Sequence, residues 1–154
     1  MESKITRKVI AAVPVDKGSY SPAEKSMTAL DLAWHIASAD IWFFNSIADG
    51  AFPSDDSKRP ENIKTSADVL AWYDANFGPA LEKVRGISGE AAAKSLDFFG
   101  MFQLPAVAYM QFNVKHTCHH RGQLSAYLRP MGAKVPSIYG GSADEPMEMA
   151  ATQA

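Results

Sequence analysis

Four histidines stand in the chain: His35, His116, His119 and His120. Three of them crowd one string, KHTCHHRGQ. An imidazole can ligate a metal, move a proton near neutral pH or simply hydrogen-bond, so spacing decides which chemistry is open. In a helix each residue turns about 100° around the axis. His120 then lies about 40° from His116, with Tyr109, Phe112, Gln123 and Tyr127 close to the same face. Cys118 falls at about 200°, on the opposite side, and His119 sits about 60° off, at the margin. His116 and His120 are thus i, i+4 neighbours with converging side chains. Such a pair can grip one metal ion if a third protein ligand joins it. The remaining histidine, His35 in LDLAWHIASAD, shares an apolar stripe with Ala39 and Trp42, and Ala39 leaves room beside it. A plainer reading competes: two histidines on a solvated face and one hydrogen-bonded in the core.

Some metal chemistries are excluded. Thr117 stands where a zinc protease of the His-Glu-x-x-His type carries its general base. No Glu-x-x-His motif occurs, which argues against a carboxylate-bridged di-iron bundle. Three neutral imidazoles suit a single divalent ion, zinc first, with nickel, iron, copper and manganese as alternatives and one or more positions open to water or substrate. A ligating imidazole usually donates its second N–H to an acceptor. Asn113 and Gln123 flank the histidine pair as candidates; Asp31, one turn before His35, reads rather as a capping or solvated residue. Tyr127 reads as a buried tyrosine, and Arg121, at about 140°, points off the site toward a neighbouring segment or carboxylate. Cys118 reads as a packed small apolar residue. Trp34, Trp42 and Trp72 read as core or interface.

Helices must position these groups. Residues 3–12 place Ile5, Val9 and Ala12 on one face, and Pro14 ends them. From Thr28 to Ile47, Leu32, His35, Ala39, Trp42, Phe43 and Ser46 follow helical periodicity. Thr28 and Asp31 form a variant capping pair, and Gly50 is a stop. Residues 50–65 are turn-rich. Ser66 is the expected N-cap of a third helix ending at Gly86, with Gly78-Pro79 predicting a kink or interruption. Residues 87–104 are ambiguous, with a short strand-like or irregular connection around Leu96–Leu104. The fourth long helix is expected from Pro105 to just before Pro130. The pattern predicts an all-α fold, a four-helix bundle with a short first helix and an irregular C-terminal tail. It reads as one domain over residues 1–146, followed by a flexible tail over 147–154.

Composition bounds the function. The chain has 154 residues, 47% apolar and 21% charged, with a net charge of −2. That balance argues against a nucleic-acid binder or a polybasic membrane-surface protein. One cysteine closes no internal disulfide and builds no Cys-x-x-Cys site. The longest apolar stretch, residues 29–48, carries Asp31, His35, Asp40 and Asn45, so no membrane span is expected. The N-terminal apolar run is short and contains Pro14; it reads as cytoplasmic rather than as a signal peptide. No glycine-rich nucleotide motif appears.

Three strings, LDLAWHIASADIWFFNSIADGAF, HTCHHRGQLSAYLRPMG and VPSIYGGSADEP, together resemble the DinB-like superfamily, the damage-inducible and thiol-dependent transferase group. The resemblance covers most of residues 28–146. It implies an up-down-down-up four-helix bundle with a three-histidine metal site at one end. Residue by residue, His35, His116 and His120 match the family's ligand positions, and His119 a non-ligand position. It further implies a homodimer, and an enzyme that joins a low-molecular-weight thiol, such as bacillithiol or mycothiol, to a small-molecule substrate. The alternative function is a non-catalytic bundle that binds metal or a small molecule in a stress response. The first helix departs from the family pattern, since only about a dozen residues precede Pro14.

Overall fold

The computed structural model describes residues 1–54 and 58–147. Its elements are α1 (Glu2–Ala11), α2 (Ala29–Asp49), α3 (Ser66–Arg85), α4 (Gly89–Ala93), β1 (Ser95–Phe98), β2 (Phe102–Pro105) and α5 (Ala106–Leu128), with a 3-10 turn at Val15–Lys17. The protein is mostly helical. No helix among the described residues is long and apolar enough to cross a membrane. The flexible tail expected over 147–154 lies, but for Met147, outside the described residues.

The helix ends follow local chemistry. The Thr28 hydroxyl accepts from Asp31 N (3.2 Å) at the start of α2. Gly50 closes that helix in the left-handed region (φ 72°), where a Cβ would be strained. The α3 cap is Thr65, one residue before the expected Ser66. Asp68 completes a reciprocal capping box with Thr65, whereas the residue three after Ser66 is Val69, which has no polar side chain to return the bond. Ser66 instead donates its hydroxyl to Val13 O (2.9 Å), tying α3 to the chain after α1. Helix α3 also runs unbroken through Gly78-Pro79. Gly78 has no Cβ, which removes part of the clash that keeps a residue before proline out of helical angles. The fourth long helix starts at Ala106, with Pro105 as its N-cap.

Helix α2 is the centre of the protein. It packs chiefly against α3 and α5, while α1 contacts both of those neighbours. Its buried residues include Leu32, Ile36, Ala37, Ile41, Phe44 and Ile47, so burial extends well beyond the single stripe read from periodicity.

The all-α expectation needs one amendment. Strands β1 and β2 pair antiparallel with Leu96 opposite Leu104 and Phe98 opposite Phe102. Phe99 (φ 53°) and Gly100 (φ 71°) make the turn, both at positive φ, as a twist-matched hairpin turn requires. Tyr109 of α5 donates its hydroxyl to Leu96 O (2.9 Å) and pins the hairpin. Phe98 thereby packs among Phe43, Phe52, Phe102 and Phe112, with ring centroids 5.0–6.3 Å apart.

Two polar clusters lock the helices. Asp40, 5% exposed on α2, accepts from Tyr73 OH of α3 (2.6 Å), from Thr117 Oγ1 of α5 (2.6 Å) and from the Asn113 side chain. Burial pushes its carboxyl pKa up, and the three donors oppose that. Arg121, 1% exposed, points away from the histidine pair as expected and meets the Glu2 carboxylate at 2.7 Å. Tyr139 OH donates to Glu2 (2.6 Å) and also contacts the Arg121 guanidinium, so α1, α5 and the C-terminal loop meet there. The Cys118 sulfur lies 2.8 Å from Tyr139 OH and 3.6 Å from Arg121. It is a half-buried member of this polar cluster, not the packed apolar residue expected, because Arg121 brings polar groups to that face. Further along, Asp144 pairs with Arg129 (2.8 Å) and accepts from Val135 N (2.8 Å), ordering the loop after α5.

Removing the Tyr73 hydroxyl deprives a buried carboxylate of one donor. Tyr73→Phe is expected to lower unfolding stability by about 1–3 kcal/mol with helical content retained, read by urea denaturation followed by circular dichroism. An unchanged midpoint would show that the network carries no stability.

Candidate metal centre

Helices α2 and α5 run antiparallel: His35 meets His116 and His120, while five residues on Asp40 meets Thr117 and Asn113. This packing brings together imidazoles separated by 81 residues. His35 Nε2 and His116 Nε2 stand 3.1 Å apart. Ring centroids are 4.9 Å apart for His35–His116, 4.5 Å for His35–His120 and 4.4 Å for His116–His120. One ligand nitrogen from each of the three lies within 4.8 Å of the others, and no other Cys, His, Asp or Glu joins the group among the described residues. His119 is exposed, with its ring 4.9 Å from that of His120, and stays outside the trio.

The environment keeps these rings neutral. Burial lowers the pKa of His35 and of His116 from 6.5 to about 4, with the neighbouring His120 adding to the shift. Burial also lowers that of His120, opposed by its bond to Gln123. Aromatic packing supplies much of the low-dielectric surround, since Phe43, inside the Phe98 cluster, lies 5.9 Å from the His116 ring. A neutral imidazole is the form that ligates a metal.

The expected supporting residues divide. His120 Nδ1 and Gln123 Oε1 are 2.8 Å apart; the amide oxygen accepts, so the ring carries its proton on Nδ1 and leaves Nε2 free. Asp31 does not reach a histidine. It accepts from Thr28 (2.6 Å) and pairs with Arg59 (2.8 Å), the capping role the sequence favoured. Asn113 faces Asp40. Tyr127 packs edge-on against Tyr20 at 5.8 Å. Met27, Asp31, Trp34, His35, Lys58 and Arg59 line a cleft of about 440 Å³, on which His35 borders. Trp34 also borders a second cavity of about 620 Å³, walled by Ile41, Trp42, Phe52 and Trp72. The tryptophans therefore serve a cavity as well as packing. Arg59, Lys58 and the Asp40 cluster belong to no motif in the sequence; the one visible signal of the cluster is an acid inside the apolar run of α2.

The donor set fits a divalent ion. Two nitrogens bound about 2.0–2.1 Å from a tetrahedral zinc stand about 3.3 Å apart, close to the observed His35–His116 separation. Without an ion, two like nitrogens facing each other must share one proton. His116 Nδ1 is buried and makes no hydrogen bond in this geometry.

Comparison with known proteins agrees with this reading of the fold. YjoA of Bacillus subtilis strain 168, an uncharacterized protein, is 30% identical over 131 residues, 83% of this chain and 82% of YjoA. YrdA of the same strain, also uncharacterized, is 27% identical over 146 residues, 94% of this chain and 85% of YrdA. The crystal structure of the DinB-like YjoA aligns at a TM-score of 0.67 and 24% identity, covering 85% of this chain and 86% of that one. A DinB-like protein of Bacillus cereus ATCC 10987 aligns at 0.71 and 24% identity, covering 90% and 91%. The model of the DinB family matches residues 1–151. The chain belongs to the DinB family.

Proposed function

We propose that this protein is a metal-dependent enzyme that joins a low-molecular-weight thiol to an electrophilic small molecule at the His35–His116–His120 centre. The observation that carries the proposal is the convergence of three neutral imidazoles, with no fourth protein ligand among the described residues, beside an open cleft. Zinc is the ion that best suits three imidazoles and an open position; nickel, iron, copper and manganese are the alternatives. A divalent ion there would act as a Lewis acid, making a thiol or water acidic at neutral pH. The three histidines would hold it, and Gln123 would keep the His120 ring oriented.

The rest of the reaction falls to the clefts. Arg59 is paired with Asp31 in this cleft, so Lys58 carries its net positive charge beside His35 and would favour an anionic group on a ligand. The Trp34–Trp42–Trp72 cavity would receive an apolar body next to the centre, its volume falling in the range of small-molecule sites. The thiol sulfur forms a bond to the electrophilic carbon, the leaving group departs with its electron pair, and the thiol proton passes to solvent. The same reading takes α1, α2, α3 and α5 as an up-down-down-up four-helix bundle, acting as a cytoplasmic homodimer.

Protein purified without a nickel column is expected to carry about one divalent ion per chain by elemental analysis, and His35→Ala to lose it; retention by the variant would refute the ligand set. Thiol conjugation assays with several cellular thiols should show turnover that a chelator abolishes. A metal-loaded protein with no turnover toward any thiol would instead favour the non-catalytic, ligand-binding role. The histidines also set a pH dependence. For His35 and His116 the folded pKa of about 4 lies below the unfolded 6.5, so the unfolded chain binds more protons between those values. Metal-free protein should therefore hold its full stability above pH 6.5 and lose it as pH falls toward 4. His116→Phe should flatten the melting temperature across that window, and an equally steep profile in the variant would assign the effect elsewhere.

A further inference from the structure

His120 has Gln123 to hold its second nitrogen, and His116 has no such partner. His116 Nδ1 is a buried polar atom without a hydrogen bond, and so is Asn113 Oδ1, one helical turn earlier on α5. Asn113 is 3% exposed, deep between α2 and α5. Its orientation is fixed by chemistry: the Asp40 carboxylate also takes hydrogen bonds from Tyr73 and Thr117, and the Asn113 side chain can add to them only through its NH2 group. The amide oxygen is then left facing away from Asp40, as an acceptor with nothing to accept. An unpartnered donor and an unpartnered acceptor, both buried and at i, i+3 on one helix, are complementary.

We propose that Asn113 is a positioning residue for the metal centre: with an ion held on His116 Nε2, its amide bridges Asp40 to His116 Nδ1–H, a hydrogen bond the two atoms do not make in the present geometry, and so holds the ring. This rests on the three-histidine metal reading above. The bridge would give His116 what Gln123 gives His120, and it would fix the tautomer, because a ring that donates from Nδ1 has its lone pair on Nε2. It also explains why a buried carboxylate sits five residues along α2 from His35 without touching a histidine: its reach is extended by one side-chain amide. Thr117 holds Asp40 from α5 itself, so the carboxylate that takes the Asn113 NH2 group stays in place when the Tyr73 donor is lost.

The test uses zinc as the probe and two readouts. In the wild-type zinc-loaded protein, long-range 1H–15N spectra should show His116 protonated at Nδ1 with a slowly exchanging proton. Protonation at Nε2, with Nδ1 toward the ion, would overturn the proposal without any variant. Asn113→Leu, of similar volume, should weaken zinc about 10–100-fold in a chelator competition and lose the slow Nδ1 proton. Tyr73→Phe disturbs the same Asp40 cluster but not the bridge, and should keep zinc affinity near the wild-type value. Equal affinity in wild type and Asn113→Leu, or an equal loss in Tyr73→Phe, would show that Asn113 acts only through general stability. If wild-type protein binds no zinc at all, the metal reading itself has failed, an outcome separate from a zinc site indifferent to Asn113.

Discussion

The contact between α2 and α5 carries this protein. It is a helix–helix interface with an apolar body, and along its length run two polar features that an apolar interface tolerates only when their partners are in place. At one level His35 faces His116 and His120; at the next Asp40 takes its hydrogen bonds from Asn113, Thr117 and Tyr73. The second feature sets the first. Antiparallel helices that satisfy Asp40 can be neither slid nor rotated by a residue without stranding a buried carboxylate, and in that register the three imidazoles converge.

Burial then tunes what convergence has assembled. The hairpin of β1 and β2 brings Phe98 against Phe43 and Phe112, and Phe43 in turn lies against His116. An aromatic wall disfavours the imidazolium, so His35 and His116 stay neutral well below physiological pH. Neutral rings sharing a small volume repel little and expose lone pairs, the state a cation stabilises best. Open clefts on the His35 side supply access, and their lining divides sharply: Lys58 and Arg59 on one side of Trp34, indoles and Phe52 on the other.

Much of this was legible in the sequence, for reasons that differ by residue. His116 and His120 stand at a spacing that a helix alone converts into a pair, so local geometry sufficed. The facing of His35 onto that pair is a tertiary fact; the apolar stripe around Ala39 and Trp42 pointed to it, and the family resemblance named it. Thr28, Gly50 and Gly86 marked helix ends because caps act locally. The cap at Thr65 was missed by one residue, since Ser66 has the right chemistry but no partner three positions on. The hairpin was blurred by its length, four residues per strand with alternate faces only partly buried. The Asp40 cluster was invisible because its members come from three helices, and no spacing in one segment encodes them. Cys118 was misjudged for a related reason: its angle on α5 was right, but the polar company it keeps, Glu2 and Tyr139, arrives from opposite ends of the chain.

The central claim is that His35, His116 and His120 together hold one divalent ion and leave part of its coordination sphere to other ligands. X-ray absorption spectroscopy at the zinc edge, on protein loaded with one equivalent of zinc, addresses it directly. The expected spectrum shows three imidazole nitrogens at about 2.0–2.1 Å completed by a light-atom ligand that an added thiol replaces with sulfur at about 2.3 Å. A sphere already closed by four protein ligands, a sulfur ligand before thiol is added, or fewer than three imidazoles would contradict it.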